Sequence, residues 1–111
     1  MFGKNGETKV THSTPVESLK RVGTLFEGGI TLIHRETGDA EIIIDSRLPR
    51  ELQEVYLEHE QVQLEIIRKY GLRYGESILP TAHFSGLRAG YEKARELGIE
   101  GQYRKHRGER K

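Results

Sequence analysis

The spacing of apolar residues along this chain changes character near residue 48. Between residues 21 and 45 they fall in short β-rich runs, "RVGTLF", "ITLIH" and "AEIIID", separated by Glu27, Gly28 and Gly29 and then by Thr37, Gly38 and Asp39. Runs of this length bounded by glycine-containing turns predict strands. Short turns between successive runs predict antiparallel neighbours, so the expectation is a three-stranded antiparallel meander over residues 21–45. After Pro49 the spacing becomes three and four: Leu48, Leu52, Val55, His59, Val62 and Ile66 form one stripe, and Glu51, Glu54, Glu58, Gln61, Glu65 and Arg68 the opposite one. That is the period of an amphipathic helix, with Pro49 suited to its first turn and Gly71 to its end. Residues 72–83 read as a connection anchored by Ile78 and Leu79, with Pro80 and a cap at Thr81. Phe84, Leu87, Tyr91 and Ala94 then predict a second helix stopping at Gly98, in which Gly86 and Gly90 weaken the helix or permit a close backbone approach. The fold class expected is α+β, a three-stranded antiparallel meander followed by two packed helices.

The ends look different from the middle. Residues 1–20 mix Gly3, Asn5, Gly6, Pro15 and several Ser and Thr without sustained periodicity, and read as a flexible arm. Residues 21–103 hold the single α+β domain, which is what 111 residues allow. The last eight, "RKHRGERK", carry five basic side chains and read as a basic tail, 104–111, that frays into solvent or contacts phosphate.

Composition narrows the chemistry. The absence of cysteine removes disulfides, thiolate metal sites and cysteine nucleophiles, and suits a reducing compartment. No apolar run approaches the roughly 20 residues that a membrane span needs, and the first fifteen residues have no apolar signal core. The expectation is a cytoplasmic protein without membrane contact. Eighteen Lys and Arg against seventeen Asp and Glu give a net charge of +1, so no global field favours nucleic acid. No glycine-rich phosphate cradle is evident in "GLRAGYEKARELG", and no serine-histidine-acid order can be argued.

The candidate chemistry is the adjacent pair His59 and Glu60 in "YLEHEQVQLEII". His59 falls on the apolar stripe, where an imidazole must find a hydrogen-bond partner or a metal. As a zinc site, His59 would be a ligand and Glu60 the catalytic base acting on a metal-bound water. The residue one turn later, where a second imidazole would stand, is Gln63, and a neutral amide is a poor zinc ligand. His83 and Glu92 are the candidates to replace it. They lie nine residues apart, about half a turn out of phase on a continuous helix, and converge only if His83 belongs to the loop before the second helix.

The order of three strands, a "HEQVQ" helix and a second helix carrying "YEKARELG" resembles the smallest gluzincin-type metallopeptidases, the minigluzincins, and related archaeal or viral proteins. The likeness spans roughly residues 22–98 and departs from the family motif at Gln63. The resemblance implies zinc as cofactor, a ligand role for His59, a general-base role for Glu60, a further ligand at Glu92 and a peptide substrate. It also implies that a terminal segment can cover the cleft.

Three classes of function follow. A zinc hydrolase, intact or degenerate, acts on a peptide. A non-catalytic interaction protein offers a face to a protein partner. A nucleic-acid-associated protein uses the 104–111 tail. Neither substrate nor oligomeric state is set by the sequence.

Overall fold

The run Ala40–Asp45 is the most deeply buried stretch of the chain, and the fold is organised around it. In a computed structural model describing residues 6–108 apart from residue 35 and the side chains of residues 72 and 73, this run is the central strand of a three-stranded sheet. The elements in order are β1 (Thr8–Ser13), α1 (Pro15–Val22), β2 (Gly29–Ile33), β3 (Ala40–Asp45), α2 (Arg50–Tyr74), a 3-10 turn (Gly75–Ile78), α3 (Leu79–Glu96) and α4 (Glu100–His106). The fold is α+β.

The sheet has the order β1-β3-β2 and is mixed. β2 and β3 form the expected antiparallel hairpin, Ile30 opposite Ile43 and Leu32 opposite Glu41. The third strand is not the one expected. Residues 21–26 do not form it; Arg21 and Val22 close α1, and Gly23, at φ 75°, caps that helix. The strand comes from within the segment read as a flexible arm: Thr8–Ser13 runs parallel to β3, from Thr8 opposite Ala40 to Ser13 opposite Asp45. Its own pattern, "TKVTHS", is too polar to announce a strand, and its place is set by β3, whose Ile42, Ile43 and Ile44 are fully buried. Both faces of β3 must therefore be covered, and strands on both of its edges satisfy its backbone. α1 did leave a signal: Thr14 and Glu17 make a reciprocal capping box with Pro15 in the first turn.

α2 lies between the sheet and α3. Leu52, Val55, Tyr56 and Leu64 pack with Ala40, Ile42 and Ile44, while Ile67 meets Ala82 of α3. The buried stripe of α3 differs from the expected one. It is Ala82, Gly86, Gly90 and Ala94, whereas Phe84 is 73% exposed. Small residues win this face because the two helix backbones touch: a methyl group at Gly86 would lie 2.7 Å from the carbonyl oxygen of His59. The large side chains of α3 are turned away from that contact.

The C-terminal boundary also moves. α4 carries the chain past residue 103 to His106, and Tyr103 is fully buried, edge-on to both Tyr56 and Tyr91. The basic tail thus begins as a packed helix; residues 109–111 lie outside the described residues. Among the described residues no helix is long and apolar enough to cross a membrane.

Candidate functional site

His59 and Glu60 sit in the middle of α2, each only 6% exposed. Successive helix positions point about 100° apart, so His59 turns toward α3 and Glu60 toward the sheet. There the hydroxyl of Thr31 on β2 donates to the Glu60 carboxylate at 2.9 Å. Gly29 makes room for this side chain, since a Cβ at that position would lie 3.2 Å from Glu60 Cγ.

The two groups approach each other, Nε2 of His59 lying 3.7 Å from Oε2 of Glu60, yet they are not an ion pair. Burial, reinforced by the nearby His83 and Arg107, depresses the His59 pKa to about 4. Burial raises the Glu60 pKa above the usual carboxylate value, against the opposing hydrogen bond from Thr31. Both are drawn toward their neutral forms, as desolvation requires. His59 Nε2 lies 3.2 Å from the amide oxygen of Gln63 and donates to it, which leaves Nδ1 as the acceptor of the neutral ring. Nδ1 is buried and has no hydrogen-bond partner among the described residues.

Above the pair opens a cleft of 360 Å³, bordered by Gly29, Ile30 and Thr31 of β2 and by Gln63, His83 and Arg107. The His83 ring lies 5.4 Å from that of His59. Tyr56, one turn before Glu60, also lines the cleft, and its hydroxyl donates to His106 Nδ1 at 2.5 Å. Burial raises the pKa of that phenol, so it keeps its proton for this bond.

The candidate residues are therefore divided. His59, Glu60 and His83 meet in one cleft. Glu92 does not join them: it is exposed, pairs with Arg88 at 3.5 Å and lines a separate hollow with Glu58 and Lys93. The cause is the continuity of α3, which includes His83 at its start and so fixes the half-turn between the two residues. Glu60 is likewise no solvated helix glutamate. Sequence reasoning missed Thr31, Tyr56 and Arg107 as parts of the site. Tyr56 lies three residues before His59 and four before Glu60, a spacing that shares their side of the helix. Arg107 carried no signal beyond its place in a basic run.

The donor set does not fit a zinc hydrolase. Gln63 holds the position of the second imidazole and accepts the hydrogen bond of His59 Nε2–H, and Glu92 stands elsewhere. Among the described residues no three of His, Asp and Glu are gathered as a metal would need. No protein-family model, curated protein or solved structure matches this chain.

Proposed function

We propose that this chain is a metallopeptidase-like domain that has kept a peptide cleft and lost the metal chemistry, so that it holds an extended peptide along β2 without cutting it. The observation that carries the reading is the position of the cleft beside a free sheet edge. β2 is an outer strand, and among the described residues no strand pairs with its far side. Its backbone direction follows from the hairpin: Asp45 N–H donates to Gly28 O at 2.9 Å and His34 N–H to Asp39 O at 2.7 Å. Hydrogen-bonded and non-hydrogen-bonded pairs alternate, so residues 28, 30, 32 and 34 face β3. Thr31 and Ile33 therefore direct their N–H and C=O groups to the outer edge. Such an edge binds extended peptide by adding a strand, with neighbouring pockets reading alternate side chains. The other outer strand, β1, has no cleft of this kind over a buried polar pair.

The basic tail supports a nucleic-acid role less well. Arg104 is paired with Glu100 at 2.8 Å, His106 with Tyr56, and Arg107 with the Tyr91 hydroxyl, so this stretch is built into the fold.

The test is an amide nitrogen-15 spectrum of the protein titrated with an acetylated, amidated octapeptide of alternating threonine and valine, in buffer containing zinc. The expected result is perturbation centred on Thr31 and Ile33, with the peptide recovered whole. Perturbation confined to β1 would overturn the binding site, and peptide cleavage would overturn the loss of chemistry.

A further inference from the structure

Two features that are separate in the sequence, the His-Glu pair and the basic C-terminal run, converge in space. Arg107 lines the cleft over His59 and Glu60, beside His83. Its guanidinium donates to the Tyr91 hydroxyl and lies 5.5 Å and 5.8 Å from the ring centroids of Tyr91 and Tyr103. Cation-aromatic packing of this kind fixes a guanidinium in place, so Arg107 is a positioned cleft residue and not a swinging surface charge. His83, in the first turns of α3, lines the same cleft and is exposed.

The acids of the cleft are arranged differently. Glu60 lies on the floor, buried and bonded to Thr31, while Glu27 stands exposed on the β2 side. Among the described residues lining the cleft, the guanidinium of Arg107 and the imidazole of His83 thus stand on the helical wall, and the exposed acid Glu27 on the β2 wall. Burial first, and then His83 and Arg107, oppose protonation of His59 beneath them.

Resting on the peptide reading above, we propose that the cleft recognises a carboxylate of the bound peptide, its free C-terminus or an acidic side chain, seated against Arg107 and His83. A guanidinium carries five N–H donors in one plane, a geometry that matches the two oxygens of a carboxylate. Partial enclosure by Tyr56, Leu87 and the β2 backbone lowers the local dielectric and strengthens such a bond relative to water. Glu27, facing the same space, disfavours an anion placed close to β2 and so biases it toward the Arg107 wall.

Calorimetric titration with four versions of the threonine-valine octapeptide separates the sources of the carboxylate: neither group, a free C-terminus only, one glutamate side chain only, or both. Each singly charged peptide should bind wild-type protein roughly tenfold more tightly than the neutral one, the worth of one charge-assisted hydrogen bond. Arg107→Met should abolish the difference, and Glu27→Gln should enlarge it. Equal binding of neutral and charged peptides would overturn the carboxylate site while leaving the edge-strand reading intact. Binding of N-acetylglutamate, abolished by Arg107→Met and without movement of the Thr31 and Ile33 amides under any peptide, would sustain the carboxylate site and remove the edge-strand reading. If Arg107→Met fails to fold, Glu27→Gln decides the matter, since no gain for the charged peptides would overturn the proposal.

Discussion

Thr31 and Glu60 join β2 to α2 through a hydroxyl-carboxylate hydrogen bond of 2.9 Å at a position where the carboxylate is almost wholly out of water. The bond holds the acid in place but does not compensate its desolvation, and the Glu60 pKa stays raised. A folded-state pKa above the unfolded value means that the contribution to stability is present below the unfolded pKa, near 4.5, and is lost as pH rises through the folded one. Glu60→Gln keeps an acceptor for Thr31 and removes the ionisation. The variant should be more stable than wild type at pH 7 and equal to it below about pH 4. Urea denaturation at the two pH values measures the difference.

His59 behaves in the opposite sense. Its folded pKa of about 4 lies below the ordinary 6.5, so the unfolded chain takes up the proton first. Stability is present above pH 6.5 and falls as pH drops from 6.5 toward 4, by roughly 3 kcal/mol for a shift of this size. In His59→Gln this loss should be missing from that window, while the acid loss below it, due to depressed carboxylates such as Asp45 and Glu41, should persist. Thermal melts at half-unit pH steps show the two windows separately.

Gly86 and Gly101 form a matched pair of helical glycines. A methyl at position 86 would lie 2.7 Å from His59 O and 2.8 Å from its Cδ2, whereas one at position 101 meets nothing within 4 Å. Gly101→Ala should stabilise by up to about 1 kcal/mol through helix propensity. Gly86→Ala gains the same propensity but must part α2 from α3, and should lose about 1–3 kcal/mol net. Melting temperatures should move in opposite directions, by about 4–8 °C per kcal/mol.

Much of this architecture can be read from residue spacing, and the exceptions have physical causes. The β2-β3 hairpin and α2 announce themselves because "ITLIH", "AEIIID" and the Leu52, Val55, His59 stripe bury their own apolar side chains. β1 was hidden because "TKVTHS" is recruited by its partner strand rather than by its own hydrophobicity. The buried face of α3 was half legible: Gly86 and Gly90 pointed to a close backbone approach, but such contact selects for small side chains, so apolar bulk pointed to the wrong face and Phe84 lies in solvent. At the site, burial of His59 followed from its stripe. The separation of Glu92 followed from helical phase once His83 was inside α3, and the arrival of Arg107 required α4, whose anchor is the single aromatic residue Tyr103.

That anchor makes the C-terminal segment structural. Removing residues 104–111 deletes the His106 bond to Tyr56 and the Arg107 bond to Tyr91. A buried phenol left without a partner costs about 1–3 kcal/mol, so the truncated chain should melt several degrees lower. His106→Gln, which keeps a polar partner for Tyr56, should recover part of the loss when made in the full chain. Differential scanning calorimetry of the two variants makes the comparison.

Zinc calorimetry on wild type, Gln63→His, and Gln63→His combined with His59→Ala or with Glu92→Gln tests the central proposal, that the cleft over His59 and Glu60 holds no metal. Gln63 already reaches His59 at 3.2 Å, so an imidazole there places two nitrogen donors one turn apart beside His83. The account predicts no stoichiometric zinc on wild type and a new site in Gln63→His that vanishes with His59→Ala and is indifferent to Glu92→Gln. Stoichiometric zinc on the wild-type protein would contradict it.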